Sequence, residues 1–220
     1  MKKQIVTLGL LSIIPLTSSA SVTENGFHIE YNKEISSQDI NATLTTAYDW
    51  AAATGTMYTD SNLLGLGYTW FNHAERADTF LQATGYYGLS NTAEIDSLDE
   101  VDTDVFGLGL KFGKSITSSR NTFITLSTKW LQHSYSTQYT YNYNSNYANE
   151  NIEATLNQFT VSGGITHYFN EHFYIGAEAG FALNALDYNQ NGYINGGHVY
   201  NIDGESDLGY VLNLNLGFKI

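Results

Sequence analysis

YVLNLNLGFKI, residues 210–220, alternates strictly between two kinds of side chain. Every even position carries a large apolar residue, and the odd positions include Asn213, Asn215 and Lys219. Successive side chains of a β-strand point to opposite faces, so this pattern indicates a strand with one apolar and one polar face. Because an unpaired apolar strand invites aggregation, the pattern favours a closed barrel whose apolar face lies against lipid.

The first twenty residues have the composition of a secretory signal. Lys2 and Lys3 precede an apolar run over residues 5–16, and small residues stand at Ser18 and Ala20. The run is shorter than the roughly 20 apolar residues that a membrane-spanning helix needs. We therefore predict that residues 1–20 are a signal peptide cleaved after Ala20.

The composition favours a single all-β domain without disulfides. The sequence contains 20 Gly, 17 Tyr, 11 Phe, one Pro and no Cys. It has 9 basic and 22 acidic residues, and removing Lys2 and Lys3 leaves a net charge of 7 − 22 = −15. Nucleic acid binding is disfavoured, because the neutralisation of phosphates needs a basic face.

The alternation of residues 210–220 recurs in seven further segments. These are residues 40–50, 64–70, 81–89, 106–112, 124–130, 159–169 and 173–183. We predict an all-β fold, a closed antiparallel transmembrane β-barrel of eight strands over residues 38–220. Residues 21–37 are predicted to be a periplasmic lead-in. Since Phe27, Ile29 and Tyr31 also alternate with polar residues, the alternative is that this segment contributes to the barrel, with ten strands in total.

The connectors between these segments alternate in length. The long ones are residues 51–61, 90–103, 134–154 and 185–207, and the short ones are residues 72–78, 114–121 and 170–172. Long extracellular loops, short periplasmic turns and an even strand number are typical of bacterial outer-membrane barrels. Aromatic residues near the segment ends agree with the aromatic girdles of such barrels.

The signal, the eight segments, the turn Tyr168-Phe169-Asn170-Glu171-His172-Phe173-Tyr174 and the final Leu-x-Leu-x-Phe-x-Ile resemble the small outer-membrane barrels of the OmpA and OmpX/Ail type. The resemblance covers about residues 40–220. It implies a location in the bacterial outer membrane, contact with its lipid and lipopolysaccharide, and recognition of the C-terminal strand by the barrel-assembly machinery. It also implies a surface role in adhesion, resistance or envelope integrity, with a host or matrix ligand as a partner.

The predicted inner face of the barrel is polar. Its members include Gln82, Lys111, Lys129, Glu178, Asn213 and Asn215. Because Lys129 and Glu178 fall at similar depth, we expect them to approach within a water-bridged network that fills the lumen. The alternative is that this network lines a small channel for ions or small solutes.

Two predicted loops carry candidate interaction residues. The third loop contains Tyr135, Tyr139, Tyr141, Tyr143 and Tyr147. These tyrosines suit either a binding surface or a projecting hairpin, and the two interpretations are compatible. The second loop contains Glu94, Asp96, Asp99, Glu100, Asp102 and Asp104. Carboxylates suit Ca²⁺, but the spacing matches no EF-hand, so a solvated acidic loop is favoured.

A lipid-modifying enzyme at the rim is a further alternative. His133 and Ser134 are the nearest candidates, but the His-x-Ser-Asn arrangement of the lipid A deacylase type is absent because Tyr135 stands two residues after His133. A His beside a Ser without a positioned acid makes no triad. The sequence therefore predicts no catalytic residue, no cofactor and no metal site.

Overall fold

The structure, a computed structural model, describes residues 24–45, 50–72, 78–95, 101–143, 146–192, 198–206 and 208–220. Its strands are β1 (Gly26–Thr45), β2 (Trp50–Phe71), β3 (Thr79–Ile95), β4 (Val101–Asp102), β5 (Asp104–Ser115), β6 (Thr122–Tyr143), β7 (Asn146–Tyr168), β8 (Phe173–Gly192), β9 (His198–Ser206) and β10 (Gly209–Lys219). Within these ranges, no helix is long and apolar enough to cross a membrane.

The strands close into an antiparallel barrel with eight strand positions in its wall. We call each position a stave, whether one strand or two consecutive strands occupy it. Neighbours in sequence pair with each other around the barrel, and β10 closes it by pairing with both β8 and β1. Two staves consist of two strands each, because β4 and β5 both pair with β3, and β9 and β10 both lie between β8 and β1. The predicted closed eight-stranded β-barrel is confirmed.

The barrel starts earlier in the chain than predicted. Most of the predicted lead-in belongs to β1, which pairs with β10 from His28↔Lys219 to Ser37↔Tyr210. Residues 40–50 are not one strand, because they combine the end of β1 with the start of β2, where Thr45 pairs with Trp50. The N-terminal segment thus replaces a predicted strand, and the number of staves stays at eight.

The strands also extend beyond the predicted segments at one end of the barrel. β6 and β7 pair continuously from Thr122↔His167 to Tyr143↔Asn146. β8 and β9 pair from Ala185↔Glu205 to Gly192↔His198. The described parts of the predicted long loops are therefore mostly strand. We call this end the hairpin end, and we call the opposite end, with the short connections, the turn end.

Exposed apolar side chains surround the barrel between these two ends. Each stave contributes to this apolar belt, for example through Ile29, Leu66, Leu81, Leu108, Leu126, Ile165, Ile175 and Leu214. Their exposure ranges from 39% for Ile175 to 64% for Leu108. A continuous apolar belt is unfavourable in water and is what hydrocarbon requires, so the barrel spans a membrane.

Candidate functional sites in the lumen and the hairpins

Five aromatic side chains close the lumen at the turn end. This aromatic plug consists of Phe71, Phe80, Phe123, Tyr168 and Tyr174, each at most 4% exposed. The ring centroids of Phe80 and Phe123 are 5.0 Å apart in an edge-to-face arrangement, and those of Tyr168 and Tyr174 are also 5.0 Å apart. Aromatic pairs at such separations add stability beyond the area that they bury. The plug is therefore a packed core rather than a loose constriction.

Glycines on the adjacent strands make room for the plug. A Cβ atom on Gly113 would lie 2.1 Å from the Phe80 ring, and one on Gly217 would lie 2.0 Å from the Tyr174 ring. Both distances are far below a van der Waals contact. These positions need Gly because the ring of the directly paired residue on the adjacent strand, Phe80 or Tyr174, lies over the glycine backbone.

A hydrogen-bonded layer lies next to the plug. The Gln82 amide donates to the Tyr174 hydroxyl at 3.0 Å and lies 2.9 Å from His28 Nε2. The hydroxyls of Tyr86 and Tyr174 donate to the two carboxylate oxygens of Glu30 at 2.6 and 2.8 Å. His28 and Glu30 are each 1% exposed. Both residues lie in the segment predicted to be a periplasmic lead-in, so neither was a predicted lumen residue.

An ion pair between Lys111 and Glu178 forms the next layer. Lys111 Nζ lies 2.8 Å from Glu178 Oε1, and the two side chains are 5% and 0% exposed. The other carboxylate oxygen of Glu178 accepts hydrogen bonds from Ser127 at 2.6 Å, Ser162 at 3.2 Å and Asn213 at 3.4 Å. One oxygen of Glu178 thus faces the Lys111 charge and the other accepts three hydrogen bonds, which compensates for its burial.

A second buried ion pair joins Lys129 and Glu34. Lys129 Nζ lies 2.5 Å from Glu34 Oε2 and 3.4 Å from Asn32 Oδ1. Gln158 donates to the other oxygen of Glu34 at 3.2 Å. The Lys129 amine also stands 5.4 Å from the centroid of the Tyr86 ring, within the range of a cation–π contact. Lys129 thus makes an ion pair with Glu34, a hydrogen bond with Asn32 and a cation–π contact with Tyr86.

Lys129 and Glu178 both lie in the buried lumen network, but they do not form a direct ion pair with each other. Each of them has another partner of opposite charge, Glu34 and Lys111 respectively. All six predicted lumen residues are buried inside the barrel, including Asn215, which is 1% exposed. The pairing could not be predicted because Glu34 was assigned to a segment outside the barrel.

These layers fill the described lumen from the turn end upward. Buried side chains from all eight staves contribute to them. An eight-stranded barrel is just wide enough for its own side chains, so there is little room left for solute. In the described residues the barrel interior is built as a packed polar core.

The predicted tyrosine loop forms the upper part of the β6–β7 hairpin. Tyr135 pairs with Ala154, and its side chain is partly exposed. The backbones of the remaining tyrosines follow the same register, namely Tyr139, Tyr141, Tyr143 and Tyr147. The hairpin interpretation of this segment is confirmed for the backbone, whereas the side chains of these four lie outside the described residues.

The predicted acidic loop is divided among three strands. Glu94 lies in β3, Asp102 in β4, and Asp104 begins β5. The other three acids lie outside the described residues, namely Asp96, Asp99 and Glu100. Among the residues that the structure describes, no group of three or more His, Cys, Asp or Glu side chains is placed to hold a metal ion.

His133 and Ser134 lie on opposite faces of the barrel wall. His133 is 2% exposed and points into the lumen, whereas the adjacent Ser134 is partly exposed on the outer face. Side chains of neighbouring strand residues diverge, so the two cannot share a proton as a nucleophile and its base. The candidate catalytic pair is not brought together.

Comparisons with known proteins give only distant likenesses. No family model and no curated protein matches the sequence. Among solved structures, OprG of Pseudomonas aeruginosa has a TM-score of 0.45 at 10% identity, covering 93% of this chain and 99% of that one. The N-terminal β-barrel domain of OprF from the same organism has a TM-score of 0.33 at 11% identity, with 90% and 100% covered. The COG4313 outer membrane channel of Pseudomonas putida F1 has a TM-score of 0.35 at 5% identity, with 94% and 100% covered. All three TM-scores are below 0.5, so the barrel assignment rests on the strand register.

Proposed function

We propose that this protein is a non-conducting, non-enzymatic outer-membrane barrel whose long hairpins bind partners outside the cell. The observation that carries the proposal is the β6–β7 hairpin. Among the residues whose side chains the structure describes, the last apolar ones on the outer face of these strands are Trp130 and Phe159, yet pairing continues from Leu131↔Gln158 to Tyr143↔Asn146. Those further residues would extend roughly 40 Å along the strand at about 3.3 Å per residue. A wall that rises so far above the apolar belt presents a large surface to the outside.

The composition of this surface suits contact with other molecules. The upper hairpin from residue 134 to residue 155 contains five tyrosines among Asn, Ser, Thr and Gln. Tyrosine offers a large contact area at low entropic cost, which is why binding surfaces use it. The filled lumen gives the hairpins a rigid base. A surface role in adhesion, resistance or envelope integrity is the function that these features support.

The C-terminal strand supports the proposed location. β10 closes the barrel between β8 and β1, and its outer face is apolar throughout. We propose that the assembly machinery of the outer membrane recognises this strand, since its pairing completes the barrel. Outer-membrane lipid and lipopolysaccharide would then surround the apolar belt.

Shortening the β6–β7 hairpin tests the binding role. Ser134 pairs with Thr155, so residues 135–154 can be replaced by Asn-Gly, which favours the two-residue turn of a hairpin. We expect the barrel to fold and attachment of expressing cells to surfaces coated with collagen or laminin to fall about tenfold.

The matched control shortens another hairpin at the same end. Asp187 pairs with Asp203, so residues 188–202 can be replaced by the same turn. This variant should keep most of its attachment. Attachment that survives the loss of residues 135–154, in cells with equal surface amounts of both variants, would overturn the adhesive role.

A further inference from the structure

A polar patch interrupts the apolar belt on the outer face of β1, β2 and β3. Lys33 and Asp60 form an ion pair there, with side chains 29% and 46% exposed. The Tyr31 hydroxyl donates to Asn62 Oδ1 at 2.5 Å, and the Asn62 amide donates to the carbonyl oxygen of Ser90 at 2.9 Å. We call these five residues the outer polar patch.

Lys33 and Asn62 of the outer polar patch lie below the outer level of the belt, and Asp60 lies just inside it. The exposed aromatic residues Tyr58 and Tyr210 both pair with Ser37 and mark the outer level of the belt. Lys33 precedes Ser37 by four residues, which is roughly 10 Å of depth at about 3.4 Å per residue and a strand tilt of about 40°. Lys33 pairs with Leu214, which is 59% exposed to the hydrocarbon region.

A β-bulge lies at the edge of the outer polar patch. Leu63 pairs with Gly88, but Asn62 pairs with Ser90, so Leu89 is the extra residue on β3. The bulge turns the Ser90 carbonyl towards the Asn62 side chain. Bulges redirect side chains and are over-represented next to functional sites. Both the charges and the backbone irregularity are therefore concentrated on one sector of the wall.

We propose that the outer polar patch is the contact surface for a second copy of this chain within the membrane. Polar groups that face lipid are costly, and in membrane proteins they mark contacts with other protein surfaces or with solutes. In a two-fold symmetric contact the same surface meets itself. A patch with one cation beside one anion is complementary to itself under this symmetry, because Lys33 of one copy faces Asp60 of the other.

The charge of the outer polar patch favours a second copy of the chain over an anionic lipid headgroup as its partner. Among the described residues, Lys33 is the only Lys or Arg on the outer face away from the turn end. Asp60 already neutralises it, so the outer polar patch offers no excess positive charge to a phosphate. A second copy needs no excess charge, since the two ion pairs can combine into four alternating charges.

Single cysteines test the contact directly, because the chain has none of its own. Ile35 pairs with Asp60 beside the outer polar patch and is 46% exposed, whereas Leu126 is 60% exposed on β6. In lipid vesicles at low protein density, oxidation should cross-link Ile35→Cys into a dimer about ten times more than Leu126→Cys. Equal yields from both positions, or cross-links from Ile35→Cys only to proteins of other mass in cells, would overturn the proposal.

Removing the charges separates a dimer contact from a role in folding. The double variant Lys33→Met with Asp60→Leu gives the barrel a more apolar wall, so it should insert and fold. Combined with Ile35→Cys, it should lower the cross-linked fraction about tenfold. A folded double variant that cross-links as well as the protein with Lys33 and Asp60 would refute the second-copy contact.

Discussion

Replacing Glu34 with Gln should lower the free energy of unfolding by about 3–5 kcal/mol, the usual cost of breaking a buried ion pair on one side. Lys129 would keep its charge at a position that is 3% exposed, and it would lose the carboxylate 2.5 Å away. Asn32 is too weak a partner to compensate, because its amide oxygen carries no net charge. Urea titration in detergent micelles, followed by tryptophan fluorescence, measures this loss.

The double variant Glu34→Gln with Lys129→Met shows that the loss comes from the unpaired charge. With both charges removed, the unfolding free energy should return to within about 1–2 kcal/mol of the starting protein. Glu171→Gln is the matched control, because its contact with His172 at 3.5 Å is exposed at the turn end, and it should cause no measurable loss. If the double variant were as unstable as Glu34→Gln alone, the ion pair could not be the cause.

Replacing Phe123 with Ala should lower the free energy of unfolding by about 3–5 kcal/mol, as other large core truncations do. Phe123 is fully buried at the centre of the aromatic plug. Its ring centroid lies 5.0 Å from that of Phe80, 5.7 Å from Tyr168 and 6.1 Å from Phe71. The cavity would have polar layers above it and strands around it, so its walls can collapse only in part. The same urea titration measures this effect.

Two further variants test whether the stability that Phe123 contributes comes from its packing inside the barrel or only from its apolar character. Phe123→Leu keeps most of the volume and should cost about 1.5 kcal/mol or less. Phe159→Ala removes an equal ring from the lipid-facing wall, where Phe159 is 46% exposed. Detergent chains of the micelle can fill that space, so the loss should be much smaller than for Phe123→Ala. Equal losses for Phe123→Ala and Phe159→Ala would contradict the existence of a packed plug.

The barrel and its inner face could be predicted because the alternation of apolar and polar residues shows on which face of a strand each side chain lies. Residues 210–219 belong to β10, whose even positions face out and whose Asn213 and Asn215 face in. The same rule assigned Gln82, Lys111 and Lys129 to the interior. Each of these inferences needs only the local sequence of one strand.

The first strand could not be assigned in this way because it contains several charged residues. Phe27, Ile29 and Tyr31 have the outward pattern, but Glu30 and Glu34 made the segment look like a solvated lead-in. In a barrel those carboxylates face a polar lumen, and their partners lie on strands far along the chain. Pairing across the lumen depends on register and closure, which local alternation does not report.

The positions of the hairpin turns could not be predicted from the period-two alternation either. Residues 40–50 alternate without interruption although Thr45 and Trp50 belong to different strands. Neither Gly nor Pro stands between them to signal a turn. A pattern that continues on both sides of a turn therefore reads as one strand, and this error displaced the first two strand boundaries.

Conductance in planar lipid bilayers tests most directly whether the lumen is occluded. Insertion is verified by protease cleavage of the hairpins on one side of vesicles made from the same preparation. With its aromatic plug and two buried ion pairs intact, the inserted protein should carry no current above the bare bilayer under applied voltage. A steady current from the inserted protein that changes in the variant Glu178→Gln would contradict the filled lumen and would favour a channel.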